Sequence, residues 1–102
     1  MAIVNTSLAT SAANIYASSG NSVVVTVYLC NTDTVSRSVS MYLVPAAGTA
    51  SSSNIIIKDL VIAPSDTYIM NTERLVLANG EMLQASANTN AVITATVSYT
   101  GV

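Results

Sequence analysis

The 102-residue sequence predicts an all-β domain, an antiparallel β-sandwich of immunoglobulin-like or jelly-roll kind with Greek-key links. Three observations predict it. Short runs rich in Val, Ile, Thr and Tyr recur about every ten residues, each bounded by Gly, Pro, Asn or Ser. No stretch shows the 3.6-residue apolar period of a helix. Hydrophobic residues make up 51% of the chain while Phe and Trp are absent, so the core must come from aliphatic side chains that suit a pleated surface.

Taken in order, residues 1–12 are rich in Ala, Ser and Thr and read as an N-terminal arm ahead of a single domain that takes in the whole chain, 1–102. A first strand is expected around Asn14–Ser18, closed by the turn signal Ser18-Ser19-Gly20-Asn21. The run from Ser22 to Cys30 is the longest strand, with Val23, Val25, Val27 and Leu29 expected on one face. After the polar connection Asn31–Ser36, Arg37–Pro45 places Val39, Met41 and Leu43 on one side and Ser38, Ser40 and Tyr42 on the other. Seven such side chains, each worth roughly 1.5–3 kcal/mol when buried, are enough to nucleate a sheet.

Ala46–Asn54 is a loop of small polar residues. Ile55–Ile62 is a β-branched run whose alternation breaks at Lys58-Asp59, the mark of a bulge. Pro64 suits position i+1 of a turn over Ala63–Asp66, and Thr67–Met70 is a short strand. Arg74–Leu77 and Met82–Ser86 flank Asn79-Gly80, a pair that predicts a type I′ hairpin because both central residues of that turn need positive φ. Ala91–Tyr99 alternates Ile93, Ala95, Val97 and Tyr99 with Val92, Thr94, Thr96 and Ser98. The total is about seven or eight short strands.

Charged residues are only 8% of the chain, where a globular domain usually carries about a quarter. Mixed surface charge keeps diffusing monomers apart, so its scarcity predicts a surface covered by further copies or by other proteins. A net charge of −2, with only Arg37, Lys58 and Arg74 basic, argues against nucleic acid as a partner. No apolar run reaches membrane-spanning length and no signal-peptide pattern opens the chain, so no membrane partner is expected and synthesis in a cytoplasm is. The lone Cys30 has no internal partner and reads as a small buried hydrophobe.

Catalytic chemistry is not expected. Without His there is no Ser-His-Asp set and no imidazole ligand, and no metal or other cofactor is implied. Asp59, Asp66, Glu73 and Glu81 fall at turns or strand ends and read as solvated acids, and a loop calcium site at Asp33 with Asn31, or at Asp66, lacks supporting spacing. The five aromatics, Tyr16, Tyr28, Tyr42, Tyr68 and Tyr99, are the candidate interface residues, because Tyr joins a large contact area to a polar tip. Structural capping of the sandwich is the competing role, and glycan stacking a third.

Several segments together resemble a family. They are Ile15-Tyr16, Tyr28-Leu29-Cys30-Asn31, Val39–Pro45 running into Ala46-Ala47-Gly48, Ile57-Lys58-Asp59-Leu60, Ala63–Thr67, Leu75–Glu81 and the closing Val97–Gly101. As a set they are similar to the small all-β virion structural proteins of tailed bacteriophages, over nearly the whole chain. The family often has a longer Gly-rich turn after the Val-Pro pair, where this chain has Ala46-Ala47-Gly48 and then serines. The resemblance implies a non-enzymatic particle component that self-associates and stabilises the particle, most simply a head decoration (cement) protein. Its partners would be other copies of itself and major capsid or tail proteins, and its location the virion. A neck or tail component, or a tail-tip receptor- or glycan-binding module, is the alternative.

Overall fold

The computed structural model describes residues 2–71 and 74–102. Among the described residues there are nine strands and no helix: β1 (Ala2–Ser7), β2 (Ala13–Ala17), β3 (Ser22–Asn31), β4 (Arg37–Val44), β5 (Ile55–Ile62), β6 (Thr67–Met70), β7 (Leu75–Leu77), β8 (Met82–Ala87) and β9 (Ile93–Gly101). One sheet has the order β1-β9-β3-β6, with β7 also paired to β3; the other has the order β2-β8-β4-β5. Every pairing is antiparallel. If β6 and β7 are counted as one interrupted strand, first pairs with last, second with second-last, and so inward to β4 with β5. That nesting is the double Greek key of a jelly roll, so the β-sandwich expected from the sequence is formed, with this of the two topologies.

The sheets meet through aliphatic side chains from alternate positions. Val27, Leu29, Ile93, Ala95 and Val97 come from the first sheet, and Val39, Met41, Leu83 and Ala85 from the second; all are buried. Bulges re-aim two strands. A register shift between Val24 and Thr26 turns β3 over, so Ser22 and Val24 join Val27 and Leu29 inside while Val23 and Val25 face outward. The single Val23–Leu29 face expected from strict alternation is therefore split, because one extra residue reverses the parity of everything before it. In β2 the shift between Asn14 and Tyr16 buries Ile15 and Tyr16 together. The bulge expected in β5 is present: Lys58 and Asp59 oppose Ser40, Asp59 takes φ 50°, and its N–H donates to Ser40 Oγ at 3.1 Å.

Two further expectations are corrected. Of the expected arm over residues 1–12, the described residues 2–12 are not a loose arm. Ala2–Ser7 pairs with β9 residue for residue, Leu8 is buried, and the Leu8 N–H donates to Ile93 O at 2.9 Å. Val4 and Leu8 give this segment an inward side, and that burial fixes it as a strand. Asn79-Gly80 makes a turn but not a hairpin, because β7 and β8 belong to different sheets. Only Gly80 has positive φ (84°), and the Glu81 N–H donates to Ala78 O, the pattern of a type II turn that carries the chain across the sandwich. The Pro64 turn closes as expected, with the Asp66 N–H on Ala63 O at 3.1 Å.

Candidate functional site

The strand registers decide where the five tyrosines stand, and they do not share a face. Tyr28 lies on the outer face of the first sheet, between Thr96 and Ile69. Tyr42 lies on the outer face of the second sheet, between Gln84 and Ile55. Tyr68 is paired with Leu29 and packs against the core. Tyr16 and Tyr99 alone come together, their ring centroids 4.3 Å apart. The five candidate interface residues thus form no single surface: Tyr16 and Tyr99 are a stacked pair, Tyr28 and Tyr42 stand on opposite outer faces, and Tyr68 packs against the core. The bulges that set parity, and the assignment of strands to sheets, separate them.

The stacked pair sits at the open side of the sandwich. There β1 edges one sheet and β2 the other, and between them lies a cleft of about 300 Å³ lined by Val4, Thr6, Ile15, Tyr16 and Tyr99. Tyr16 is held by a chain of hydroxyls: its OH donates to Ser22 Oγ (2.8 Å), Ser22 and Ser18 share a 2.6 Å contact, and Ser18 Oγ donates to Gly20 O (2.7 Å). A single direction of donation satisfies all three hydroxyls, which fixes the ring in place.

The outer face of the first sheet is the more distinctive surface. Its lateral rows, read from the registers, are Ser7-Thr94-Cys30-Thr67, Asn5-Thr96-Tyr28-Ile69, Ile3-Ser98-Thr26 and Thr100-Val23-Val76. Among the described residues, none in these rows is charged. Ile3 (66%), Ile69 (49%), Val76 (70%) and Tyr28 (41%) are well exposed on it. Cys30 belongs here too, half-buried rather than in the core, because the buried members of this end of β3 are Leu29 and Asn31. Alternation alone gives that placement, since Cys30 is opposite in parity to Val27 and Leu29.

The described charged residues lie outside these rows. Arg37 forms a 2.7 Å ion pair with Asp33 in the β3–β4 connection. The Thr34 N–H and then the Arg37 guanidinium hold the Asp33 carboxyl below its ordinary range. Lys58 and Asp59 occupy the β5 bulge, Asp66 and Glu81 are in turns, and Arg74 precedes β7. Glu73 lies outside the described residues. The Asn31–Asp33 oxygens suggested for calcium accept bonds within the chain: Asn31 Oδ1 from the Asp33 N–H (2.9 Å), and the Asp33 carboxylate from Thr34 and Arg37. Among the described residues, no cluster of three or more acidic or Cys side chains is placed to hold a metal.

Comparison with protein families, with curated proteins and with solved structures finds no match. The surfaces must therefore be read on their own chemistry. An uncharged outer face with hydroxyl rows and exposed aliphatic side chains can bury against another protein with little cost of desolvating charge.

Proposed function

We propose that this chain is a non-enzymatic structural subunit of a tailed-phage particle, a decoration protein that lies on the capsid lattice, self-associates and stabilises it. The observation that carries the reading is the uncharged outer face of the β1-β9-β3-β6 sheet, with Tyr28 and Ile69 side by side. On a lattice, identical neighbours repeat the same charges at close range, so a face without charge is suited to dense packing. The resemblance of the sequence to small all-β virion proteins points the same way. Jelly rolls also occur in viral capsid domains, but equally in lectins and cupins, so the topology supports the reading without deciding it.

The test is the copy number of this chain in purified particles of the phage that encodes it, by quantitative mass spectrometry against the major capsid protein. Abundance comparable to the capsid protein supports decoration. A small fraction of it moves the protein to the neck, tail or tail tip. Absence from the particle overturns the virion reading. A charge placed on the face by Tyr28→Asp, a partly exposed site, should leave the fold intact and abolish capture by particles that lack the protein.

A further inference from the structure

Two open sheets present four free edges, and natural sheets guard such edges with charge, bulges or shortness. Three of the edges here are guarded. The β5 edge carries two register shifts together with Lys58 and Asp59. The β2 edge has five residues and a bulge at Ile15. The edge shared by β6 and β7 is split into strands of four and three residues. The β1 edge has none of these devices: six residues, Ala-Ile-Val-Asn-Thr-Ser, in unbroken register with β9 and without charge, Pro or Gly.

The hydrogen-bond phase of β1 follows from its end. The Leu8 N–H donates to Ile93 O, so in an antiparallel ladder the N–H groups of Val4 and Thr6 also turn to β9. Those of Ile3, Asn5 and Ser7 are left on the free side. Immediately inside that edge is the cleft floored by Tyr16 and Tyr99, open where the inward side chains of one more strand would fall.

We propose that β1 is a strand-addition edge and that its partner is β1 of a second copy, paired antiparallel about a two-fold axis near Val4 or Asn5. This does not depend on where the protein acts. The edge calls for a strand, since a row of N–H and C=O groups is what it offers. A copy of β1 meets the remaining requirements. Pairing odd with odd positions keeps Ile3, Asn5 and Ser7 on the outer face of both molecules and turns Val4 and Thr6 toward the clefts. Neither strand brings a charge, so a self-complementary contact meets no repulsion. Addition joins the two uncharged faces into one continuous sheet. The paired edge is only about 20 Å long and one strand deep, a smaller contact than the roughly 800 Å² per partner of a stable interface, so the dimer is weak and forms at high concentration.

The test needs no other partner: analytical ultracentrifugation of the full chain over a concentration series, for wild type, Asn5→Pro and Asn5→Ala. Proline at position 5 removes a free-side N–H without touching the β9 ladder, whereas alanine keeps it. Concentration-dependent dimerisation of wild type and Asn5→Ala, with Asn5→Pro folded and monomeric, is expected. A wild type that stays monomeric at every soluble concentration, or a folded Asn5→Pro that dimerises like wild type, overturns the proposal. Should Asn5→Pro fail to fold, amide exchange on the wild type decides. Slowing of the Ile3, Asn5 and Ser7 amides as concentration rises supports the pairing, and exchange at the solvent rate in the dimer refutes it.

Discussion

Leu8 is the residue on which the N-terminal segment turns, and replacing it separates an edge strand from a dispensable arm. Its side chain is 2% exposed and sits among the core residues of the sandwich. Its backbone is held at both ends, by Leu8 N–H to Ile93 O and Ala91 N–H to Leu8 O, each 2.9 Å. Removing buried methyl groups from such a site costs the transfer free energy plus a cavity term, about 3 kcal/mol for Leu→Ala. A domain of this size has roughly 5–15 kcal/mol in all, so Leu8→Ala should lower Tm by about 12–24 °C.

Deletion of residues 1–11 should destabilise at least as much. Chain entropy regained by losing the segment offsets its backbone hydrogen bonds, but nothing replaces the burial by Leu8 and Val4. Urea unfolding followed by circular dichroism measures both variants, with Ser7→Ala as an exposed control expected within about 0.5 kcal/mol of wild type. If Leu8→Ala or the deletion shifts stability by less than about 1 kcal/mol, the edge-strand placement is wrong and the arm reading returns.

Two further outcomes follow from the polar groups. Asn31 is fully buried; its Nδ2 donates to Val35 O (3.0 Å), Ile62 O (2.9 Å) and, more weakly, Ala63 O (3.3 Å), while Oδ1 accepts from the Asp33 N–H (2.9 Å). Asn31→Ala leaves these groups unpaired and should cost about 2–4 kcal/mol by denaturant midpoint. The Asp33–Arg37 pair gives a pH signature: the folded carboxyl titrates below its unfolded value, so its contribution is complete above about pH 4 and is lost as pH falls through the folded pKa. Arg37→Ala should therefore be less stable than wild type near neutrality, with the gap narrowing under acid, as thermal melts across pH would show.

Much of the fold was legible because turn chemistry is local. Pro64, the Gly20 turn and the β5 bulge at Lys58-Asp59 all stand where the residue types place them. What escaped was set by partners distant in the chain. Nothing in Val23-Val24-Val25-Thr26 announces which valine is the extra one; the register against β9 decides it, and with it the face of Val23 and Val25. Asn79-Gly80 marks a turn, yet whether the flanking strands pair with each other or with β3 and β8's own neighbours is a matter of topology. The tyrosines were identifiable as the aromatic inventory, but their distribution over two sheets was not, since sheet membership is not written in alternation.

The placement of charge and the guarding of edges bear on the same surface. Thr94, Thr96, Ser98 and Thr100 run along β9 down the middle of the uncharged face. Their hydroxyls keep that face hydrated in the free protein, and two are already engaged, Thr96 Oγ1 donating to Asn5 Oδ1 at 2.8 Å and, more weakly, Thr100 Oγ1 to Gly101 O at 3.4 Å. Neutral hydroxyls are released from water far more cheaply than ammonium or carboxylate groups, and they repair their hydrogen bonds with any partner that offers donors and acceptors. The apolar side chains flanking them, Ile3 on one edge and Ile69 and Val76 on the other, add area that favours burial once water is excluded. Among the described residues, charge stands in connections, Arg74 just before β7 included, at Arg37 where β4 begins and at the bulged β5 edge of the other sheet, which leaves the strand rows of the first sheet's outer face as the side suited to contact. Such a division is needed by a subunit that must dissolve as a monomer and then pack against a repeating surface, and it gives the uncharged face, rather than the tyrosines as a set, the leading part in the proposed role.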